Sequence, residues 1–310
     1  MTTMRALVGR EGEVEIVTVP VPQAGPGQVR VKVAAAAVQP VDLFTASGTL
    51  PDYKLTDPME RYGLGWDVAG VVDEVGPGVT GLTGGQAVFG LSVRLMLPYK
   101  AQADYVVLDR EEVAAAPEGL TPEQAATLPL NTLTAVQALD LADLAPGRTL
   151  LVTGAAGALG GYLVEIAAAR GLRVVGLAGA GDEKLVRGFG AEWFVSREAD
   201  LAASVRALVP GGVDGVVDAA IVGLTALDSV RTGGAYVAVA AGAAPIPLRG
   251  IRVSTVYVRA DAGQLAQVAR WAEAGRLTVR LAGAHPLDKA AEAYARLSAG
   301  GQRGRFVLTP

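Results

Sequence analysis

The chain contains 310 residues, a length that favours two domains. It is 51% hydrophobic and 19% charged, a composition too apolar for a disordered chain. A formal net charge of −4 and an aromatic content of 5% argue against binding to nucleic acid or to an anionic membrane. The absence of Cys excludes disulfides and thiolate chemistry, and the single histidine, His285, excludes a multi-histidine metal site.

No stretch of the sequence has the character of a targeting or membrane segment. The amino-terminal residues are followed closely by Arg10 and Glu11, which do not fit the apolar core of a signal peptide. The most apolar stretch, Ala235–Leu248, is interrupted by Gly and Pro and is too short to span a bilayer. We therefore predict a cytoplasmic protein.

The first third of the chain is predicted to form a β-rich domain. Short apolar and β-branched runs alternate with turns rich in Gly and Pro, a pattern typical of a barrel or sandwich. The predicted strands are Arg5–Val8, Val14–Val19, Val29–Val33, Val68–Val75 and Tyr105–Leu108.

Strands and helices alternate from Thr121 onwards. Thr121 and Pro122 have the residue types of a helix N-cap and of a first helical position. This alternation predicts a parallel sheet covered by helices on both faces, an α/β architecture. The predicted strands are Leu150–Thr153, Arg173–Leu177, Trp193–Val195, Val213–Asp218, Tyr236–Ala240, Val253–Val258 and Arg305–Leu308. The predicted helices are Gly160–Arg170, Glu183–Gly188, Leu201–Val209, Gln264–Ala274 and Asp288–Ser298.

The segment Thr153–Gly160 has the features of a loop that binds the phosphates of a dinucleotide. Gly154 allows a sharp turn, Gly157 allows the backbone to approach a pyrophosphate, and Gly160 allows close packing of the helix that follows. The helix N-terminus offers unpaired N–H groups and the positive end of a dipole to an anion. The strand before, the helix after and the next strand favour this interpretation over a turn that binds nothing.

The end of the second strand of this unit bears on the choice between NADH and NADPH. An acidic residue there would bind the ribose 2′-hydroxyl of NADH, but the sequence has only small residues at Gly179–Gly181. These residues leave room for a 2′-phosphate, which Lys184 and Arg187 could neutralise. Asp182 counts against this interpretation, and an ordinary solvated helix face is the alternative for the two basic residues. We predict NADPH as the cofactor.

Four segments, in order along the chain, carry a family resemblance. They are Gln39–Asp42, Gly65–Val72, Pro129–Ala135 and Ala155–Gly160. Together they resemble the medium-chain dehydrogenase/reductase superfamily, and within it the zinc-free quinone oxidoreductase branch, which is zeta-crystallin-like. The resemblance implies a Rossmann-type doubly wound parallel sheet plus a GroES-like β-rich catalytic domain. It implies a GroES-like domain at residues 1–120, completed by 260–310, and a Rossmann domain at residues 121–259.

The resemblance also bears on metal binding. In zinc-dependent relatives the metal ligands fall at positions that resemble Gln39, Trp66 and Asn131 in this chain. An amide, an indole and a second amide do not form a zinc-binding set. We therefore predict that the protein holds no metal.

A path for the cofactor follows from the same resemblance. Thr134 and Asn131 are implied to lie near the nicotinamide, and the glycine-rich loop near the pyrophosphate. For the apolar residues on this path, sheet core is the alternative interpretation. The implied cofactor-binding residues are Thr134, Gly154, Gly157, Ala158, Leu159, Gly160, Gly179, Lys184, Ser196, Val222, Ala240, Gly242, Val256, Tyr257 and Val258.

Few side chains are candidates for catalysis. Phe44 stands where relatives often have a tyrosine, so a phenol donor is missing at that place. Asp42 and Asp67 are interpreted as acceptors for backbone N–H groups rather than as general bases. For Tyr53 and Tyr62, a loop tyrosine with its hydroxyl in water is the preferred interpretation. The candidate catalytic residues are Gln39, Asn131 and Tyr62, and the candidate walls of the substrate cleft are Phe44, Tyr53 and Trp66.

These features predict an enzyme that transfers hydride from NADPH to a small quinone or α,β-unsaturated carbonyl without zinc. Two alternatives stay open at this stage: an enoyl reductase of a biosynthetic pathway, and a non-catalytic NADPH-binding protein with a structural or sensory role. Because the resemblance places Val253–Val258 at a sheet edge that pairs with its copy in relatives, we also predict a homodimer.

Overall fold

The computed structural model describes residues 2–310, and the chain divides into two compact units. Within the described residues, the first unit comprises residues 2–130 together with Arg259–Pro310, and the second comprises Asn131–Val258. No helix within the described residues is long and apolar enough to cross a membrane.

Strands and helices are numbered in chain order. The strands are β1 Thr3–Arg10, β2 Glu13–Pro20, β3 Gln28–Val38, β4 Tyr62–Gly63, β5 Asp67–Val75, β6 Ala87–Leu91, β7 Tyr105–Asp109, β8 Val113–Ala115, β9 Thr149–Thr153, β10 Arg173–Ala178, β11 Trp193–Ser196, β12 Val213–Asp218, β13 Val230–Ala238, β14 Arg252–Thr255, β15 Leu281–Pro286 and β16 Arg305–Thr309. The α-helices are α1 Pro40–Ala46, α2 Pro122–Ala125, α3 Pro129–Ala142, α4 Ala158–Ala169, α5 Glu183–Gly188, α6 Leu201–Leu208, α7 Leu224–Leu227, α8 Ala262–Glu273 and α9 Ala290–Ser298.

The first unit is built around the long strand β3. This strand pairs with β5, β7 and β16 in a sheet whose order is β15-β16-β3-β5-β6-β8, and β1 lies between β2 and β4 in a separate three-stranded sheet. Val29, Val31 and Val33 alternate with more exposed residues and point into the apolar core. The prediction of a β-rich first domain is confirmed.

The second unit contains a parallel sheet of six strands in the order β11-β10-β9-β12-β13-β14. The central strand β9 is buried along its whole length, as expected for a strand that is covered on both faces. The order reverses direction between β9 and β12, which is the arrangement of a doubly wound Rossmann sheet. The α/β prediction is confirmed.

Two strand boundaries of this sheet were predicted wrongly. The strand predicted at Val253–Val258 is β14 and ends at Thr255, because its partner β13 ends at Ala238; beyond this point only the Val256 N–H bonds to the Ala238 carbonyl, and Tyr257 is exposed. The strand predicted at Tyr236–Ala240 instead runs from Val230 to Ala238. Its first half contains glycines and polar residues, which lack the signature of a strand.

Three α-helices, α1, α3 and the four-residue α7, lie where no helix was predicted. Residues 131–139 of α3 are all buried, so the segment shows almost no polar face and no helical periodicity. Helix α1 is short and follows directly from β3. Asp42 in its first turn accepts the N–H of Gln39 at 2.8 Å and so begins the helix.

Candidate active site

The loop between β9 and α4 has the geometry expected of a phosphate-binding turn. Gly154 adopts a φ of +62°, a left-handed conformation that favours glycine. Gly157 is the N-cap of α4, and the amides of Ala158, Leu159 and Gly160 form the first turn of that helix. First-turn amides have no acceptor within their own helix, so they can bind an anion.

Gly160 is the residue of this loop whose side-chain space is most restricted. A Cβ atom added there would lie 2.0 Å from the Gly154 carbonyl oxygen and 2.9 Å from the Cα of Ala155. Both neighbours are backbone atoms and cannot move aside without moving the loop. At this position glycine is therefore required by the packing of the helix against its own loop.

A buried carboxylate holds the neighbouring loop, and the sequence did not reveal it as a site residue. Asp218, at the end of β12, accepts the Thr153 hydroxyl at 2.6 Å and the backbone N–H groups of Val222 and Gly223 at 3.0 and 2.9 Å. The Tyr236 hydroxyl also donates to it. This network fixes residues 219–223 beside the glycine loop. The only sequence signal for it was the position of Asp218 at the end of a parallel strand, where ligands bind in such sheets.

At the end of β10, one further basic residue lies close to the expected position of the 2′-phosphate. The guanidinium of Arg197 lies 3.7 Å from the point where a Cβ on Gly179 would stand, and its side chain is 73% exposed. Arg187 donates instead to the Glu183 carboxylate at 2.8 Å and to the Glu192 carbonyl at 2.9 Å. These contacts on the exposed face of α5 favour the alternative interpretation of Arg187, an ordinary solvated helix face.

The other predicted cofactor residues are spread over several elements of the second unit. Lys184 is exposed on α5, and the Ser196 hydroxyl donates to the Glu198 carboxylate. Ala240 and Gly242 lie in the loop that follows β13, and Val222 lies in the loop that Asp218 holds. Thr134 and Asn131 lie on α3 and are buried, while Val256, Tyr257 and Val258 follow β14.

A fully buried group of polar side chains occupies the first unit. Asp42 accepts the N–H of Gly65 at 2.9 Å, and Asp67 accepts the N–H of Leu130 at 2.6 Å and the Gln39 amide at 2.6 Å. The interpretation of both aspartates as acceptors for backbone N–H groups is confirmed. The Oε1 atom of Gln39 is buried without a hydrogen-bond partner.

Burial shifts the ionisation of this group. It raises the pKa of Asp67 to about 7 and that of Asp42 to about 6, although hydrogen bonds to both carboxylates act in the opposite direction. Lys100 is 2% exposed, and its ammonium lies 4.1 Å from the centre of the Trp66 ring. Burial lowers the pKa of Lys100 to about 8. The sequence analysis did not single out Lys100, because nothing in a linear sequence shows that a lysine is buried.

The candidate aromatic residues of the cleft differ in exposure. Phe44 and Tyr53 form an edge-to-face pair with their ring centres 5.0 Å apart, and Tyr53 is 49% exposed. Tyr62 is buried and its hydroxyl accepts the N–H of Met59 at 3.1 Å. The interpretation of Tyr62 as a loop tyrosine with its hydroxyl in water is therefore wrong. Its position in the short strand β4, which pairs with β1, buries the ring.

The side chains at the zinc-ligand positions do not fit zinc. Gln39 and Asn131 are buried amides, and Trp66 is an indole whose face is taken by Lys100. Across residues 2–310, no group of three or more His, Cys, Asp or Glu side chains is placed to hold a metal ion. Two amides and an indole are not a donor set that binds zinc.

The folds of the two units and the glycine loop define a two-domain nucleotide-dependent dehydrogenase. Residues 25–118 match the family described as alcohol dehydrogenase GroES-like domain, and residues 189–308 match the family described as zinc-binding dehydrogenase. The chain belongs to the medium-chain dehydrogenase/reductase superfamily, in its quinone oxidoreductase branch. The members of this superfamily are oxidoreductases that use a nicotinamide cofactor.

Known relatives place this membership in more detail. The chain is 38% identical over 221 residues to the pikromycin polyketide synthase component PikAII of Streptomyces venezuelae, covering 70% of this chain but only 6% of that protein. It is 29% identical over 300 residues to 2-methylene-furan-3-one reductase of Solanum lycopersicum, covering 94% of this chain and 74% of the reductase. The solved quinone oxidoreductase of Coxiella burnetii is 25% identical, with a TM-score of 0.87 and full coverage of both chains.

Proposed function

We propose that the protein is a zinc-independent, NADPH-dependent reductase of quinones or α,β-unsaturated carbonyls. The observation that carries this proposal is the combination of a glycine cradle for a dinucleotide with amide and indole side chains at the positions where zinc-dependent relatives hold their metal. The names of the tomato reductase and the Coxiella oxidoreductase support an enone and a quinone, respectively, as the acceptor class.

The residues of the chain have distinct roles in this proposal. When bound, the nicotinamide cofactor supplies the hydride. The first-turn amides of α4 bind the pyrophosphate, and the network around Asp218 holds the adjacent loop in place. Hydride addition to an enone leaves negative charge on its oxygen, which a hydrogen-bond donor stabilises. We propose Gln39, Asn131 and Tyr62 for this role. The Tyr62 hydroxyl accepts the Met59 N–H and so keeps its own proton to donate.

Selectivity for NADPH is proposed to come from Arg197. The guanidinium lies beside Gly179 at the end of β10. A carboxylate at this place favours NADH, and Oδ2 of Asp182 lies 3.3 Å from the point where a Cβ on Gly179 would stand, so selectivity for NADPH requires that this carboxylate is outweighed by Arg197. Its neighbour Glu198 is 3.4 Å away, a long contact for an ion pair, and the guanidinium is largely exposed, so it can reorient toward a phosphate.

Replacing Arg197 by Met is expected to raise the Kd for NADPH by about tenfold, because a charge-assisted hydrogen bond to the 2′-phosphate is lost. The Kd for NADH, which lacks that phosphate, should stay within about twofold of the starting value. Both constants can be measured by fluorescence titration. Arg187→Met is the matched control, since Arg187 is bound to Glu183 and Glu192, and it should change neither constant. Equal weakening of NADPH and NADH by Arg197→Met would contradict the assignment.

Catalysis is tested with a panel of acceptors. We expect steady NADPH oxidation with at least one p-quinone or simple enone, and no loss of rate after dialysis against a chelator, because the side chains at the zinc positions are not metal donors. The measurement is the fall in absorbance of the reduced nicotinamide. Tight NADPH binding with no oxidation by any acceptor would favour the non-catalytic alternative, and loss of activity on chelation would overturn zinc independence.

The second candidate function is an enoyl reductase of a biosynthetic pathway. The 38% identity to a segment of a polyketide synthase favours it, because it exceeds the identity to the tomato reductase. A preference for thioester-linked enoyl substrates over free enones would support this candidate. The predicted homodimer and cytoplasmic location stay predictions; β14 is an edge strand of its sheet, where a second copy could pair.

A further inference from the structure

A polar cavity lies in the second unit, at the end of the sheet where the strands begin. The glycine loop lies at the other end, where the strands finish. The cavity has a volume of about 230 Å³ and is formed where β9, β12, β13 and β14 begin. Its charged lining residues are Arg148, Arg231, Arg252, Asp143 and Asp214. Three guanidinium groups therefore face two carboxylates, and no part of the proposed reductase activity uses them.

The carboxylate of Asp214, which lines this cavity, has no acceptor capacity left. Asp214 Oδ1 accepts Arg231 Nε at 2.8 Å and Arg148 Nη1 at 3.4 Å. Its Oδ2 accepts the N–H and the hydroxyl of Thr149 at 2.8 and 2.9 Å. Each carboxylate oxygen has about two lone-pair sites, so all four are in use. Burial alone would raise the pKa of Asp214, but the hydrogen bonds from Thr149 and Arg231 outweigh it and keep the group ionised.

The arginines retain donors that this carboxylate cannot satisfy. A guanidinium has five N–H donors in a planar fork. Arg252 uses one of its terminal nitrogens to donate to the Ala142 carbonyl at 3.2 Å, and Arg231 adds a bond to the Thr232 carbonyl at 3.2 Å. The second carboxylate, Asp143, lies on an exposed turn at the rim. The inner part of the cavity thus has more guanidinium donors than acceptors.

We propose that this cavity binds a small oxyanion of the phosphate class, either inorganic phosphate or the phosphate group of a small metabolite. Convergent arginine forks match the oxygen geometry of phosphate and bind it with paired hydrogen bonds. Gly233 and Gly234 form one wall and present no side chain that would fill the space. A volume of about 230 Å³ is several times that of a water molecule, which occupies about 30 Å³ in the liquid, and it admits such an anion with part of its hydration shell.

The bound anion would join strands that are distant in sequence. Arg148 precedes β9, Arg231 lies on β13 and Arg252 begins edge strand β14. An anion that contacts all three offsets the repulsion among them and stabilises the folded unit by mass action. The cavity lies where the strands of the sheet begin, and the proposed nucleotide site lies where they end, so this inference does not depend on the proposed function.

The test is calorimetric titration of the full chain with inorganic phosphate, at constant ionic strength, with and without saturating NADPH. We expect one saturable phosphate site in both conditions, since the proposed NADPH site lies at the opposite ends of the strands. Arg252→Met should weaken phosphate binding about tenfold or more. Arg170→Met, which removes a surface arginine paired with Asp140, is the matched control and should leave the affinity unchanged.

Arg148→Met provides a second variant with the same expectation as Arg252→Met, because Arg148 is 57% exposed and contributes little packing. Competition by glycerol 3-phosphate distinguishes the two sources: displacement of phosphate by the monoester at comparable concentration indicates a metabolite site, and its failure indicates inorganic phosphate. No saturable phosphate binding, or binding that NADPH abolishes, overturns the proposal. A phosphate affinity that neither Arg252→Met nor Arg148→Met changes also overturns the proposal. Light scattering of each variant checks that a substitution near edge strand β14 has not changed the molecular mass of the protein in solution.

Discussion

Replacing Gly160 by Ala is expected to weaken NADPH binding about 30-fold. The added Cβ would lie 2.0 Å from the carbonyl oxygen of Gly154, and the three nearest atoms all belong to the backbone of the loop. Strain from overpacking of this kind costs about 2 kcal/mol, which corresponds to roughly 30-fold in a binding constant when relief of the strain displaces the binding groups. The measurement is a fluorescence titration with NADPH.

A second glycine in the same unit provides the control for Gly160→Ala. Gly188 is the last residue of α5, and a Cβ added there would meet no heavy atom within 4 Å. Gly188→Ala should therefore leave the Kd for NADPH unchanged and raise the free energy of unfolding by up to about 1 kcal/mol, since alanine favours a helix over glycine. If Gly160→Ala bound NADPH as tightly as Gly188→Ala, the loop would not be the pyrophosphate site.

Replacing Asp67 by Asn is expected to raise the free energy of unfolding on the order of 2 kcal/mol at pH 8 and to change it little below about pH 4. Burial raises the pKa of Asp67 from 3.8 to about 7 in the folded protein. A carboxyl whose folded pKa exceeds its unfolded value contributes stability below about pH 4 and loses it as the pH rises through about 7. Asparagine carries no charge, so the variant does not lose this stability as the pH rises. Urea unfolding of both proteins at a series of pH values measures the difference in the free energy of unfolding.

The geometry around Asp67 indicates that Asn can be accommodated. Its oxygen can accept the Leu130 N–H, as the aspartate does at 2.6 Å. Its NH2 group would face Gln39, whose buried Oε1 has no partner and can accept it once the amide rotates. The substitution thus replaces a buried charge by a satisfied pair of amides.

Asp42→Asn is the control and should act in the opposite direction. Both oxygens of Asp42 accept backbone N–H groups, from Gly65 at one oxygen and from Gln39 at the other. The NH2 group of an asparagine would face one of these donors, so a buried hydrogen bond is lost at every pH. Asp42→Asn is expected to destabilise the protein at every pH. If Asp67→Asn did the same, ionisation of Asp67 would not lower the free energy of unfolding.

The glycine-rich turn between β9 and α4, which we propose binds phosphate, could be predicted from the sequence because its requirements are local. A strand, three spaced glycines and a helix start lie within twelve residues, and each glycine has a steric reason that depends on its near neighbours. The α/β alternation was predictable for the same reason, since a strand that is buried on both faces needs a continuous apolar run. Helix α3 was missed because its burial on nearly every side removes the periodicity by which a helix is found.

The charge environment of the candidate site could not be predicted in this way. The sequence analysis singled out Arg187 as a phosphate ligand and did not consider Arg197. Only the fold shows that Arg187 is bound to Glu183 and Glu192 while Arg197 lies beside Gly179. Lys100 is buried over Trp66, and three arginines line one cavity with Asp214; both arrangements join residues that lie far apart in the sequence.

The sequence by itself determined the fold class, the glycine-rich turn between β9 and α4, and the absence of Cys and of a second His, because these depend on residue type and on short spacings. The tertiary structure alone decided which charges are paired, which are buried and which face a cavity. The physical reason is that the ionisation and binding capacity of a side chain depend on the dielectric and on the partners around it, and distant segments of the chain supply both.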